Sequence, residues 1–151
     1  MRLLSLFLFL LPFYCVAQTD NLTEPKMDIS VVCLLVNDYE NAIEFYTEKL
    51  GFVISMNRKF GENQRWVSIR LPNSSLELSL GLANNKEDSV LVGKQSGKFP
   101  FFVLTTTHFE KTYHEYVLNG VEFVDEPKKN PWGKTAVLKD LYGNQILLKE
   151  K

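Results

Sequence analysis

The stretch ISVVCLLVNDYENAIEFYTEKLGFVIS, residues 29–55, predicts a strand, a helix and a second strand. Apolar and β-branched residues from Ile29 to Val36 have the length and composition of a strand. Asn37-Asp38 offers a helix cap, and apolar residues then recur at spacings of three and four up to Leu50. Gly51 follows at a position where a helix end favours a residue that adopts positive φ.

The chain downstream of this segment continues with strands alone. Residues 66–71 and 76–80 alternate as strands, and Pro72-Asn73-Ser74 is a turn signal between them. Strands that follow one another without an intervening helix are predicted to pair as an antiparallel meander. Residues 83–98 are polar and are interpreted as a linker, which includes Gln95.

The second half of the chain repeats this order. Residues 99–104 form an apolar strand, Thr107 and Glu110 have the spacing of a helix-capping box, and Gly120 ends the helix. Three further strands are predicted at residues 121–124, 135–139 and 145–149. The sequence therefore predicts two modules, each with the order strand–helix–strand–strand–strand.

The offset between the two modules is nearly constant. Val31 and Phe101 are 70 residues apart at the same point of the first strand, and Glu77 and Leu147 are 70 residues apart in the last strand. Identity between the halves is low, so the prediction of a repeat depends on the order and spacing of the elements.

Length and composition favour one globular domain. The chain has 151 residues, of which 45% are hydrophobic and 23% charged, which is ordinary for a folded domain and excludes a disordered chain. The formal net charge of −1 gives no basis for nucleic-acid binding, which usually needs a basic excess. We expect a single domain over residues 28–150, with modules at residues 28–82 and 98–150.

Residues 1–17 are typical of an export signal. Arg2 supplies the positive charge, residues 3–14 form the apolar stretch, and Ala17 provides the small residue that a leader peptidase requires before its cut. A retained anchor is the alternative, although the apolar run is short for a bilayer. We expect an exported protein, periplasmic or secreted, with residues 18–27 as a flexible arm and no membrane contact after signal removal.

Individual reactive side chains give little sign of catalysis. Once Cys15 leaves with the signal, Cys33 stands alone, and its apolar surroundings predict a buried thiol without a disulfide partner. His108 and His114 are six residues apart, which does not suit one helix face, and both are expected at the surface or at a helix cap. The sequence has no glycine-rich phosphate loop, CxxC pair or HExxH motif.

Two motifs resemble one known family. The run from Val36-Asn37-Asp38 to Lys49-Leu50-Gly51-Phe52 resembles the opening helix of the vicinal oxygen chelate superfamily, which includes glyoxalases, bleomycin resistance proteins and extradiol dioxygenases. The run Asp140-Leu141-Tyr142-Gly143-Asn144 resembles that family's closing D-x-x-G-N turn. The resemblance covers residues 28–150 and implies an α+β fold, in which two βαβββ modules form an eight-stranded mixed-sheet cup with helices outside.

The resemblance also locates where a metal would bind. Metal-dependent members hold a divalent ion with four His, Glu or Gln side chains on the first and last strands of the modules. The corresponding positions here are Val31, Glu77, Phe101 and Leu147, and of these side chains only that of Glu77 has a ligating atom. We therefore expect no metal site and no cofactor.

Aromatic and charged residues near the mouth of the cup are the candidates for ligand binding. Arg65-Trp66 begins a central strand of the first module, and Trp132 and Lys134 lie at the matching entrance of the second. Two indoles and two cations suit a planar or anionic small molecule, although packing of the tryptophans at the module edges is an alternative. The expected ligand-binding set is Arg65, Trp66, Glu77, Phe101, Trp132 and Lys134.

Three functions are compatible with this set. The first is an exported, metal-independent protein of the glyoxalase/bleomycin-resistance type that binds a small hydrophobic or aromatic molecule. The second is an enzyme of the superfamily, a lyase, isomerase or dioxygenase, with a non-standard site in which Glu77 acts as a base. The third is a domain whose role is pairing, since such modules often assemble as homodimers. Burial of Glu77 among convergent polar groups would favour the enzyme, and a cup without a pocket would favour pairing.

Overall fold

The computed structural model describes residues 27–62 and 64–151. The expected export signal and nearly all of the expected arm lie outside the described residues. In this part of the chain, none of the helices has the length and apolar character needed to cross a membrane.

Eight strands and three α-helices make up the described chain. The strands are β1 (Val31–Val36), β2 (Val53–Lys59), β3 (Arg65–Arg70), β4 (Glu77–Leu82), β5 (Phe102–Thr106), β6 (Lys128–Asn130), β7 (Gly133–Lys139) and β8 (Gln145–Glu150). The helices are α1 (Tyr39–Glu44), which continues as a π-helical turn over Phe45–Lys49, α2 (Lys86–Ser89) and α3 (Phe109–Leu118). The order β1-α1-β2-β3-β4 is repeated as β5-α3-β6-β7-β8, with α2 in the linker.

The strands form two mixed sheets of four. The first sheet has the order β1-β4-β3-β2, and the second sheet has the order β5-β8-β7-β6. In each sheet the first and last strands of the module are parallel, whereas the other neighbours are antiparallel. This arrangement confirms the predicted α+β fold of two βαβββ modules and is consistent with the predicted cup.

One predicted strand is displaced. Residues 121–124 make a single bridge, between Phe123 and Leu138, and β6 forms later in the chain. The intervening residues 125–127 are Asp, Glu and Pro, which are poor strand formers, so the ladder is interrupted there.

One predicted helix cap is also absent. Asp38 caps α1 as expected, since its carboxylate accepts a hydrogen bond from a backbone N–H of the first turn. His108 precedes α3, and its side chain makes no capping hydrogen bond. The capping box predicted for Thr107 and Glu110 does not form, because the Glu110 carboxylate pairs with Lys134 instead.

One face of each sheet packs against the helices and forms the core. Side chains alternate along β1, so Leu34 and Val36 are fully buried on the helix side, whereas Val31 and Cys33 are exposed on the other side. The buried residues of both modules form one continuous cluster. The modules therefore meet through their helix sides, and each sheet leaves its opposite face, called the open face below, uncovered.

The linker is fixed to both modules. The Gln95 side chain accepts a hydrogen bond from the Leu35 N–H at 2.6 Å and donates one to the Cys33 carbonyl at 3.4 Å, so its amide takes the place of a neighbouring strand at the edge of β1. Gly93 has φ +76°, and a Cβ there would lie 1.9 Å from the Tyr142 carbonyl oxygen. Glycine is therefore required where the linker passes the β7–β8 turn.

A buried carboxylate joins the two modules. Asp140, just after β7, is 5% exposed and accepts hydrogen bonds from the backbone N–H groups of Tyr142 and Asn144 at 2.9 and 2.8 Å and from Asn144 Nδ2 at 2.7 Å. The Tyr46 hydroxyl of the first module donates a fourth hydrogen bond at 2.9 Å. The D-x-x-G-N motif is thus a turn built around one carboxylate, and one of the four donors comes from the other module.

Tyr46→Phe is expected to lower the free energy of unfolding by about 1–2 kcal/mol, because it removes a donor from the buried carboxylate. Burial, reinforced by the charge of Asp140, raises the pKa of Tyr46 well above its usual value of 10.0. As the pH rises above 10.0, the unfolded chain releases this proton while the folded chain keeps it. The contribution of the hydroxyl is therefore fully present below that pH and declines above it. Urea unfolding at neutral pH and at about pH 11 measures both effects.

Tyr113→Phe is the matched control. The Tyr113 ring packs 4.6 Å from that of Phe123, and its hydroxyl has no hydrogen bond among the described residues. We expect this substitution to change the free energy of unfolding by less than about 0.5 kcal/mol. Equal losses for the two variants, or a Tyr46→Phe loss that does not shrink at high pH, would contradict the role assigned to Tyr46.

Candidate functional site

The open face of the first sheet has small side chains at its centre, bordered by larger ones. One row across the four strands is Cys33, Ser79, Ser68 and Met56. Val31, on one side of this row, is 40% exposed, and Trp66, on the other side, is 44% exposed. The face therefore offers apolar and aromatic surface around small polar groups.

The positions that would hold a metal in related proteins lie on the open faces. Val31 is paired with Glu77 across β1 and β4, as expected. In the second sheet the partner of Leu147 is Val103, and not the predicted Phe101, which lies two residues earlier. The reason is that Val103 and Leu147 are 44 residues apart in the sequence, whereas Val31 and Glu77 are 46 residues apart. Since the strand period is two, the Val103 side chain still points to the open face.

These side chains do not supply the ligands of a divalent metal. Val31, Val103 and Leu147 have no donor atoms, and Glu77 offers a single carboxylate. Across residues 27–62 and 64–151, no three His, Cys, Asp or Glu side chains are grouped so that they could hold an ion. The ligand set of the metal-dependent members thus does not fit this chain.

Glu77 is not part of a convergent polar network. Its side chain is partly exposed at the start of β4 and makes no hydrogen bond or salt bridge to other described residues. Continuing the β3–β4 register places Arg70 beside it, but Arg70 Nη1 donates to the carbonyls of Leu71 and Pro72 at 3.2 and 2.7 Å. The surroundings therefore do not mark Glu77 as a general base.

A pocket of about 510 Å³ opens beside Trp66, where β2 turns into β3. Its lining combines three aromatic rings with cations, and includes Tyr39, Phe60, Trp66, Lys59 and Arg65. Phe60 and Trp66 are 47% and 44% exposed. Exposed flat rings beside cations are the surface that a planar, anionic molecule would contact.

Arg65 holds one wall of this pocket in place. Its Nη1 forms a salt bridge with Glu40 at 2.6 Å, and its Nε donates to Asn57 Oδ1 at 2.9 Å. The guanidinium carbon lies 4.9 Å from the centre of the Tyr39 ring. The charge of Arg65 is therefore already paired, and the side chain positions Tyr39.

The second module contains an equivalent ion pair. Lys134 at the start of β7 pairs with Glu110 at the start of α3, as Arg65 pairs with Glu40 in the first module. The hydrogen bond from Lys134 lowers the pKa of Glu110, and the carboxylate in turn raises the pKa of Lys134. Trp132, in the β6–β7 turn, is 63% exposed. Lys134 therefore points toward the helix, and not toward the open face.

Phe101 lies at the junction of the modules. Its ring meets that of Phe102 edge-to-face at 5.8 Å, beside a cavity of about 180 Å³ that also includes Leu71 and Leu76 of the first module. This cavity is separate from the pocket beside Trp66.

The predicted ligand-binding residues do not form one site within a single chain. Arg65 and Trp66 share the pocket, and four residues lie outside it, namely Glu77, Phe101, Trp132 and Lys134. The other aromatic walls, Tyr39 and Phe60, were not predicted. No spacing pattern in the sequence marks them, since Tyr39 belongs to the helix and Phe60 to the hairpin loop.

The prediction that Cys33 is buried is wrong. The residue is exposed, because the apolar run of β1 alternates between the two faces of the sheet and Cys33 falls on the open one. A continuous apolar run is typical of a strand that is buried on both faces of its sheet. In this structure β1 is buried only on the face that packs against the helices. His108 and His114 are both exposed, as expected.

Comparison with known proteins agrees with the fold and the motifs. The model of the Glyoxalase/Bleomycin resistance protein/Dioxygenase superfamily matches residues 28–148. An uncharacterized protein of Shewanella frigidimarina (strain NCIMB 400) is 37% identical over 121 residues, which cover 79% of this chain and 90% of that protein.

Solved structures also align over most of the chain. UcmS2 aligns with a TM-score of 0.73 at 30% identity, covering 83% of this chain and 98% of UcmS2. TnmS3, an antibiotic binding protein from Streptomyces sp. CB03234, aligns with a TM-score of 0.68 at 25% identity, covering 83% of this chain and 96% of TnmS3. With the family model spanning nearly all of both modules, this chain belongs to the Glyoxalase/Bleomycin resistance protein/Dioxygenase superfamily.

Proposed function

We propose that this protein binds and sequesters a small planar, hydrophobic or aromatic molecule without the help of a metal. The observation that carries the proposal is the pocket beside the end of the first sheet, which is lined by Trp66, Phe60 and Tyr39, two of them exposed aromatic side chains. A binding protein needs a concave apolar surface with a few polar groups, and this region has both. The similarity to TnmS3, an antibiotic binding protein, supports the same class of function.

Metal independence is proposed on the chemistry of the side chains. Three of the four positions that would coordinate an ion are Val31, Val103 and Leu147, which have no donor atoms. The lone carboxylate of Glu77 lacks the partners that a general base would have. The role proposed here is therefore retention of the ligand and not its conversion.

Fluorene-2-carboxylate, a planar aromatic anion, is a suitable probe of this proposal. We expect saturable binding to the mature protein, detected by quenching of tryptophan fluorescence and by calorimetry. Trp66→Ala is expected to weaken the affinity by about threefold to tenfold, because a stacked aromatic pair contributes about 0.5–1.5 kcal/mol beyond its buried area. Treatment with EDTA is expected to leave the affinity unchanged.

Phe99→Ala is the control for this experiment. Phe99 is 77% exposed and does not line the pocket, so its removal is expected to leave the affinity unchanged. Loss of binding after EDTA, or a stoichiometric divalent ion in native mass spectra that disappears in Glu77→Ala, would refute metal independence. Absence of any saturable binding would refute the binding function.

We further propose that the protein acts as a homodimer in which a second copy completes each cup. β1 and β5 are edge strands of separate four-stranded sheets, and buried residues of both modules belong to one core cluster. In the proposed dimer, a second copy places its second sheet against the first sheet of its partner, so that two open faces border one cleft. Val31 and Val103, which are 40% and 50% exposed, would become buried in this contact.

Light scattering of the mature protein tests the dimer. We expect the mass of two chains for the wild type and the mass of one chain for Val103→Lys, because a charge on the open face would be desolvated in the contact. Val117→Lys is the matched control, since Val117 is 46% exposed on α3, away from both open faces, and is expected to remain dimeric. A monomeric wild type, or a dimeric Val103→Lys variant, would contradict the proposed arrangement.

Export of the protein is proposed on the composition of residues 1–17. Expression of the full chain in a bacterial host, followed by fractionation and intact-mass analysis, is expected to give a periplasmic or secreted protein that begins at Gln18. Leu8→Arg interrupts the apolar stretch and is expected to leave the full-length chain in the cytoplasm. A wild-type chain that keeps Met1 and stays in the cytoplasm would contradict export.

A further inference from the structure

Three serines form a row of small polar side chains on the open face of the first sheet, between Trp66 and the pair formed by Val31 and Glu77. Ser79 and Ser68 are paired across β4 and β3, and the register changes between Ile54 and Met56 on β2. In a β-bulge two residues oppose one on the neighbouring strand, so Ser55 comes next to Ser68. The serine row is thus Ser79, Ser68 and Ser55.

Ser68 points to the open face and yet is buried. Its neighbours along β3, Val67 and Ile69, are fully buried on the helix side, and alternation directs Ser68 the opposite way. Ser68 is 0% exposed and Ser79 is 4% exposed. These serines have almost no contact with solvent, so a ligand reaches them only if a neighbouring side chain moves.

Two hydroxyls of this row lack hydrogen-bond partners. Within the described part of the chain, Ser55 Oγ and Ser68 Oγ are both buried and make no hydrogen bond. Burying a hydroxyl without a partner is unfavourable and rare in folded proteins, so two such groups side by side call for a partner from outside the chain, such as a water molecule or a ligand. Both can donate, and one carbonyl oxygen has two lone pairs with which to accept.

We propose that the serine row binds a carbonyl oxygen of a planar ligand whose ring system lies against Trp66. Trp66 is two residues from Ser68 on the same strand and the same face, which places them about 7 Å apart, within the span of a fused-ring molecule. Met56, opposite Ser68 and 43% exposed, turns aside to admit the ligand, since a methionine side chain rotates readily. This inference rests on the proposed binding function and adds the chemical class of the ligand, a ring-conjugated ketone.

Two matched probes test this class. Fluorene-2-carboxylate and 9-fluorenone-2-carboxylate share the planar ring system and the carboxylate, and the second has one ring ketone. Calorimetry with the mature wild-type protein is expected to show about tenfold tighter binding of the fluorenone, as two added hydrogen bonds predict. The Ser55→Ala/Ser68→Ala double variant is expected to bind the two probes within about twofold of each other.

The measured quantity is the ratio of the two affinities within each protein, so that any change common to both probes cancels. Ser75→Ala, at an exposed serine between β3 and β4, is expected to keep the full preference. Ser55→Ala alone is expected to lose part of the preference, and provides a second variant if the double variant does not fold.

The outcomes separate the ligand class from the binding function. Equal binding of both probes by the wild type, or a preference that survives in the serine variants, would overturn the proposed carbonyl site and leave the binding function intact. Failure of both probes to bind would overturn the binding function, and the carbonyl site with it.

Discussion

The arrangement of the two modules depends on the buried carboxylate of Asp140. A charged group in the interior is tolerated when its oxygens are fully hydrogen-bonded, and three of the donors come from the turn that Asp140 itself shapes. The fourth donor is the Tyr46 hydroxyl of the other module. If one module shifted relative to the other, the buried carboxylate would lose the Tyr46 hydrogen bond. The carboxylate therefore fixes the helix sides of both modules against each other.

One consequence is that the open faces are the surfaces left uncovered by the core in a single chain. The helix sides are occupied by the shared core, and the open faces carry the row of side chains that metal-dependent members use for coordination. In this chain, Val31, Val103 and Leu147 leave three of the four positions without donor atoms, and Glu77 alone has a carboxylate. The scaffold of the superfamily is therefore retained, and in the proposed function its open face would bind a ligand through shape and polarity in place of metal coordination.

Much of the fold could be predicted because the repeat and its motifs appear as local patterns in the sequence, namely the spacing of apolar residues and the position of capping residues and glycines. The details of the site depend on relations between strands, which local patterns do not contain. The shift from Phe101 to Val103 arises from a connection two residues shorter in the second module. The pairing of Arg65 and Lys134 with helix carboxylates could not be predicted, because spacing alone does not tell which face of β3 or β7 the helix covers. Burial of Cys33 was predicted wrongly for the same reason.

The linker connects the two modules structurally, which its polar composition does not indicate. Gly93 passes so close to the Tyr142 carbonyl that no side chain fits, and Gln95 occupies the edge of β1. These two contacts attach the connecting segment to the second and first modules respectively, so it acts as a brace between them. In the proposed dimer, the angle between the two modules sets the distance between opposing sheets. The width of the binding cleft would then be governed by residues that never touch the ligand, and linker length would be a means of adapting the same cup to molecules of different thickness.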